Sequence, residues 1–178
     1  MRHINYEVTG FARVLFGSEK LSPLWLLVRL YVGWEWFYAG YEKMNAVWVG
    51  PTAGKAVTGF VQGALQKTLG EHPDVQMWYA SFLQNMVLPH ANAWSNMIAM
   101  GELLVGIALL VGCLVGVAAF FGVFMNINYL LAGTVSVNPT LLILGILLIL
   151  AWRTAGYLGL DYYILPRLGT TPKQRKNK

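Results

Sequence analysis

Charge is scarce in this chain. Only 12% of its 178 residues are charged, about half the roughly 25% usual in soluble domains. So few ionised groups cannot cover a water-facing surface, but they suit lipid, where each charge is costly. Cysteine is nearly absent: Cys113 stands alone. A single thiol cannot close an intrachain disulfide or relay electrons between thiol pairs, which excludes membrane thiol–disulfide exchange. The histidines are His3, His72 and His90. None falls in an apolar run, so a haem held between two membrane histidines is excluded, as is a zinc-type Cys/His cluster. No phosphate-binding loop or dinucleotide fingerprint occurs. No haem, metal or nucleotide is therefore expected, and redox chemistry would need a lipid-soluble carrier or another subunit.

What is present is apolar and aromatic. Hydrophobic residues make up 56% of the chain, with 7 Trp, 9 Tyr and 8 Phe. Four runs are long enough to cross a hydrocarbon core roughly 30 Å thick. They lie at about 23–44, 94–112, 114–134 and 138–158. The expected fold is all-α, a four-helix transmembrane bundle. Ser22 and Pro23 suit the start of the first helix. The short turn near Gly112, Cys113 and Leu114 makes the second and third runs an antiparallel hairpin. Repeated glycines would let helices approach closely. Between the first two spans, 45–93 reads as a structured loop. It holds candidate amphipathic helices at 55–69 and 75–88, the latter with Val75, Trp78, Tyr79 and Phe82 on one face. His72-Pro73 and Pro89-His90 are expected breaks.

The net charge of +5 comes largely from the ends. Residues 1–20 lack the charge-free apolar core of a signal peptide. The basic tail of Lys173, Arg175, Lys176 and Lys178 reads as a cytoplasmic anchor, too short for a nucleic-acid surface. An even number of spans puts both ends on one side, and the positive charge puts that side in the cytoplasm of a plasma-membrane protein. The expected division is a cytoplasmic segment at 1–22, a four-span domain at 23–166 and a basic tail at 167–178.

Polar groups within the spans mark candidate sites. Tyr31, Glu35, Tyr38 and Glu42 recur at helical spacing on one face, flanked by Trp34. That face is expected to look into the bundle. Counting inward from the expected outer ends puts Glu35, Glu102 and Asn126 at one level, roughly 12–15 Å deep. Glu35 and Glu102 are candidate proton carriers, because carboxyls in apolar surroundings hold protons more tightly than in water. Asn126 and Tyr38 are candidate hydrogen-bonding partners for a ligand carbonyl. The competing reading is a buried network that fixes helix register. Arg29, Arg153 and Asp161 read as a structural clasp at the inner end, or as an anion site.

Several stretches resemble the DoxX/DoxD family. They are VRLYVGWEW at 28–36 with AGYEK at 39–43, GELLVG at 101–106 with LVG at 110–112, FMN at 124–126, AGTVSVNP at 132–139 and AGYLGLD at 155–161. Tyr157 stands where an arginine is common in that last pattern. The resemblance implies a DoxD-like subunit of a thiosulfate:quinone oxidoreductase, which oxidises thiosulfate to tetrathionate and passes electrons to a membrane quinone. It implies a quinone head-group site in the outer half of the membrane. Glu35 or Glu102 would supply protons there, with Tyr31, Trp34 and Tyr38 packed against the ring and Glu42 near the mouth. It also implies a second oxidoreductase subunit; self-association is left open. The alternatives are a non-enzymatic membrane scaffold for redox enzymes and, last, a small-solute carrier.

Overall fold

The computed structural model describes residues 10–169. The basic tail from Lys173 to Lys178 lies outside them, as do residues 1–9. The described residues form helices and turns, with no strand.

Helix α1, Gly10–Gly17, lies across one end of the molecule and leads through a 3₁₀ turn into α2, Ser22–Glu42. Backbone carbonyls at the end of α1 hold it in place. Leu15 accepts from the Trp25 indole at 2.8 Å, and Phe16 accepts from the Thr154 hydroxyl at 2.6 Å. Helix α3, Lys55–Gln66, and α4, Met77–Phe82, follow in the long loop. Then come α5, Ala91–Val111, and α6, Val115–Leu131, as the expected hairpin. Helix α7, Asn138–Leu150, gives way at Ala151 to the short α8, Trp152–Gly156, and α9, Asp161–Arg167, closes the described chain.

Small residues decide how α2 meets α5. A Cβ at Gly40 would collide with the Leu103 backbone, and one at Gly106 with the Phe37 backbone. The two helices therefore touch backbone to backbone, as glycine-bearing membrane helices do. This contact buries Arg29, Val32, Gly33, Trp36 and Gly40 on one side of α2. The bundle core continues through Val105, Leu109, Ala118, Leu141 and Leu148.

One expectation fails at Pro89. It does not break the chain direction: Met77–Val111 is a continuous helical stretch of 35 residues. A π turn at Leu83–Val87 and a 3₁₀ turn at Leu88–His90 absorb the proline's missing N–H and its ring. The Trp94 indole donates to the Met86 carbonyl at 3.2 Å, satisfying an acceptor in that irregular segment. By length and composition this is the one described helix apolar enough to cross a membrane. Helices α6 and α7 are apolar but shorter.

The long loop folds into a cap with its own core. Val57, Val61 and Ala64 of α3 pack with Val75, Tyr79, Leu83 and Val87. Trp78, expected on the same face, is 62% exposed. The cap is tied to the end of α6. Lys67 donates to the Gly133 carbonyl at 2.6 Å, and the Tyr79 hydroxyl lies 3.0 Å from the Asn128 carbonyl.

Candidate functional site

Two clusters of charge lie at opposite ends of the bundle. At the end away from the cap, Arg29 is buried and donates to the Leu109 carbonyl at 2.8 Å and the Leu158 carbonyl at 2.9 Å. Those bonds serve carbonyls near the end of α5 and in the turn before α9. The backbone passes through Gly112 and Leu114 in left-handed conformations, which open the turn between α5 and α6. Asp161 then caps α6 from a distance. Its carboxylate accepts from the Leu114 N–H at 2.6 Å and the Val115 N–H at 2.9 Å. A carboxylate there satisfies otherwise unpaired donors and faces the positive end of the helix dipole. Arg29 and Asp161 thus clasp one turn from two sides. Arg153 does not join them. It is exposed and lies over the Trp152 ring at 4.8 Å.

At the cap end the arrangement is different. Glu102 of α5 is 1% exposed. One carboxylate oxygen is 2.7 Å from the Lys43 ammonium, and the other accepts from the Tyr129 hydroxyl at 2.5 Å. Lys43 caps the end of α2, also donates to the Ala39 carbonyl at 3.3 Å, and lies over the Trp48 ring at 5.2 Å. The Lys43 side chain is 20% exposed, so the cluster reaches the surface through it. The cap roofs the site: Phe60 of α3 meets the Tyr129 ring edge-on at 6.0 Å. Ser95 donates to the Trp48 carbonyl at 2.7 Å and holds that loop in place.

Asn126 lies one helical turn from Tyr129 on α6 and is fully buried. Neither its amide nitrogen nor its amide oxygen has a hydrogen-bond partner among the described residues. A buried unpaired amide costs about 1–3 kcal/mol, so Asn126 is unusual for a packing residue. On the same face, a Cβ at Gly122 would lie 3.0 Å from the Trp36 indole nitrogen.

The polar face of α2 does not join this cluster. Tyr31, Trp34 and Tyr38 are 42%, 55% and 49% exposed, and Glu42 is exposed. Glu35 is partly exposed, with no hydrogen bond or ion pair among the described residues. The glycines set the rotation of α2, and they lie half a turn from the polar stripe. The expected common level fails as well. Glu102 lies beside Gly40, roughly 7 Å along α2 from Glu35 at the helical rise. Counting from residue 94 misplaced it, because the helix carrying Glu102 starts earlier. Tyr129 does not stand out in the sequence, and Lys43 stands out only as a charge beside Glu42 near the mouth, with no role of its own. The available signals were that Lys43 closes α2 and that Tyr129 follows Asn126 by one turn.

A groove lined by Leu114, Val117, Phe120, Trp152 and Leu165 lies at the far end. Its lining is apolar but for Asp161, whose carboxylate is taken up in capping α6, so it offers none of the chemistry found at the cap end.

The family described as TQO small subunit DoxD matches residues 24–177. The chain belongs to the DoxD family. No curated protein and no solved structure matches it. The DoxD match covers both charged clusters and the cap, so the site described above lies wholly inside the family region.

Proposed function

We propose that this chain is the membrane subunit of a thiosulfate:quinone oxidoreductase. Its α2, α5, α6 and α7–α8 would cross the bilayer, with both ends in the cytoplasm and the cap outside. Helices α2 and α5 have 21 residues each, about 31 Å at the helical rise. Residues 138–156, α7 with α8, reach about 28 Å on the same rise. The domain division proposed is 1–22, 23–166 and 167–178.

The observation that carries the reading is Glu102, a buried carboxylate held by an ammonium and a phenol beneath a cap. In the proposed reaction two thiosulfate anions join through a new S–S bond as tetrathionate and release two electrons. A quinone consumes those electrons with two protons. The residues at the cap end fit a quinone carbonyl. Asn126 offers a buried N–H with no protein acceptor, and the Lys43 ammonium has one N–H beyond those it gives to Glu102 and the Ala39 carbonyl, whereas the single O–H of Tyr129 is already donated to Glu102. Lys43 orients Glu102 and connects it to the surface. Tyr129 is placed to pass a proton to or from the Glu102 carboxylate. Burial of Glu102 beneath the cap keeps its carboxylate from water, which strengthens its interactions.

Membranes containing the full chain and its candidate partner subunit test this. Thiosulfate and a soluble quinone analogue are added, and quinone reduction is followed by absorbance. Glu102→Gln is expected to lower the rate about 100-fold or more, the usual range for removing a general acid–base group. An unchanged rate rejects the role of Glu102. The second reading, a non-enzymatic scaffold, is favoured by one observation, the polar outward face of α2. It predicts partner binding without quinone turnover.

A further inference from the structure

The outward faces of the long helices are not alike. Helix α5 exposes Leu104 and Ile107, α6 exposes Phe120 and Phe124, and α7 exposes Ile143 and Ile146. These are side chains that lipid accepts at no cost. Helix α2 exposes Leu24, Leu27 and Leu30 in its first half, but beyond them Tyr31, Tyr38 and Glu42, with Glu35 between them. Glu35 lies seven residues from the end of α2, so about 10 Å along the helix from it. A carboxylate at that depth facing lipid costs at least a few kcal/mol. Tyr38 lies beside Glu42 on the same face and interacts with it electrostatically. Glu35 has no such partner among the described residues.

The spacing of this stripe also carries information. Positions 31, 35, 38 and 42 alternate steps of four and three, the spacing by which one helix seats another along a straight seam. The flanking rings are already ordered. Trp34 stacks on Tyr38 at 6.2 Å, and Phe37 on Tyr41 at 6.2 Å. Rigid aromatic rings are enriched at the centres of protein contact surfaces.

We infer that the outer face of α2 is the seat of a transmembrane helix from the partner subunit, carrying Arg or Lys opposite Glu35. The inference rests on the reading of this chain as a membrane subunit. Charge selects the occupant. A second copy docked through the same face would bring Glu35 against Glu35. A cation-bearing helix neutralises Glu35 in a low-dielectric setting, where the pairing is strong. The DoxD family is described as a small subunit, which calls for a companion chain.

The test uses the full chain in native membranes. A photo-cross-linking amino acid replaces Trp34 or Tyr38 on the stripe, and Phe124 on α6 as the lipid-facing control. Positions 34 and 38 are expected to give an adduct with a different protein, through a membrane helix bearing Arg or Lys; position 124 is not. Glu35→Lys is expected to reduce that adduct at least tenfold. Changing the opposing basic residue to Glu is expected to restore most of it. Adducts with lipid, quinone or a second copy overturn the inference, and so does failure of the charge swap to rescue. The detergent-purified chain should melt at the same temperature with Glu35→Lys as without, which separates lost docking from lost folding. Quinone reduction in the same membranes separates the two proposals. Cross-linking with rescue but no turnover sinks the enzymatic reading alone. Turnover in membranes where positions 34 and 38 give no protein adduct even with Glu35 in place sinks the docking surface alone.

Discussion

Arg29 and Asp161 at one end of the bundle direct their hydrogen bonds to backbone, whereas Glu102 at the other directs its own to side chains. The first pair closes the turn between α5 and α6. Each of its charges replaces an absent helix partner, and neither leaves a side chain poised for chemistry. The second cluster joins three helices through an ammonium, a carboxylate and a phenol, opens to the surface at Lys43, and lies near an amide with nothing to bind. Burial alone does not separate the two, since Arg29, Asp161 and Glu102 are each 1% exposed. The kind of partner does. Charges bonded to backbone hold a fold, and charges bonded to other titratable side chains can change state without unfolding it.

Breaking the clasp should have the larger effect. Asp161→Ala removes two charge-assisted bonds at the start of α6, with an expected loss of about 3 kcal/mol. Unfolding of the purified chain in detergent measures it, and a loss below 1 kcal/mol would show that the turn holds without its cap. Next comes Glu102→Gln, which strands Lys43. Because Lys43 reaches water, the expected stability loss is smaller, about 1–2 kcal/mol, while quinone reduction falls far more steeply. Equal damage to both would make the cluster structural. Tyr129→Phe removes a single hydrogen bond to Glu102 and should cost about 0.5–1.5 kcal/mol. A drop in kcat with KM unchanged would place the hydroxyl in the chemical step. The smallest change is expected for Asn126→Leu. Because the amide has no protein partner, the variant should unfold at the same temperature or a higher one. A loss of quinone affinity without a loss of stability would mark Asn126 as a ligand contact; destabilisation would show a hidden structural partner.

The helical class, the aromatic-rich apolar runs, the α5–α6 turn and the cap helices were legible from spacing and composition, because each depends on residues near one another in the chain. The site was legible in part. Glu102 and Asn126 stood out as polar groups in apolar runs. Tyr129 did not, and Lys43 stood out only as a charge near the mouth, since their importance comes from meeting Glu102 across three helices. Glu35 looked equivalent to Glu102 in sequence, and the structure gave it the opposite surroundings.

That divergence follows from what each level of structure controls. Local pattern determines that α2 is a helix carrying a polar stripe and, about half a turn away, glycines. It does not say which of the two faces the bundle. Gly40 meeting the Leu103 backbone and Phe37 meeting Gly106 decide it, because close backbone packing on α5 is available on only one side. Likewise, Pro89 in isolation predicts a break. Only the π turn before it, held within the packed cap, lets the helix run on to Glu102. Helix formation is written locally, but the rotation of each helix, and so the company each charge keeps, is set by contacts between segments distant in the chain.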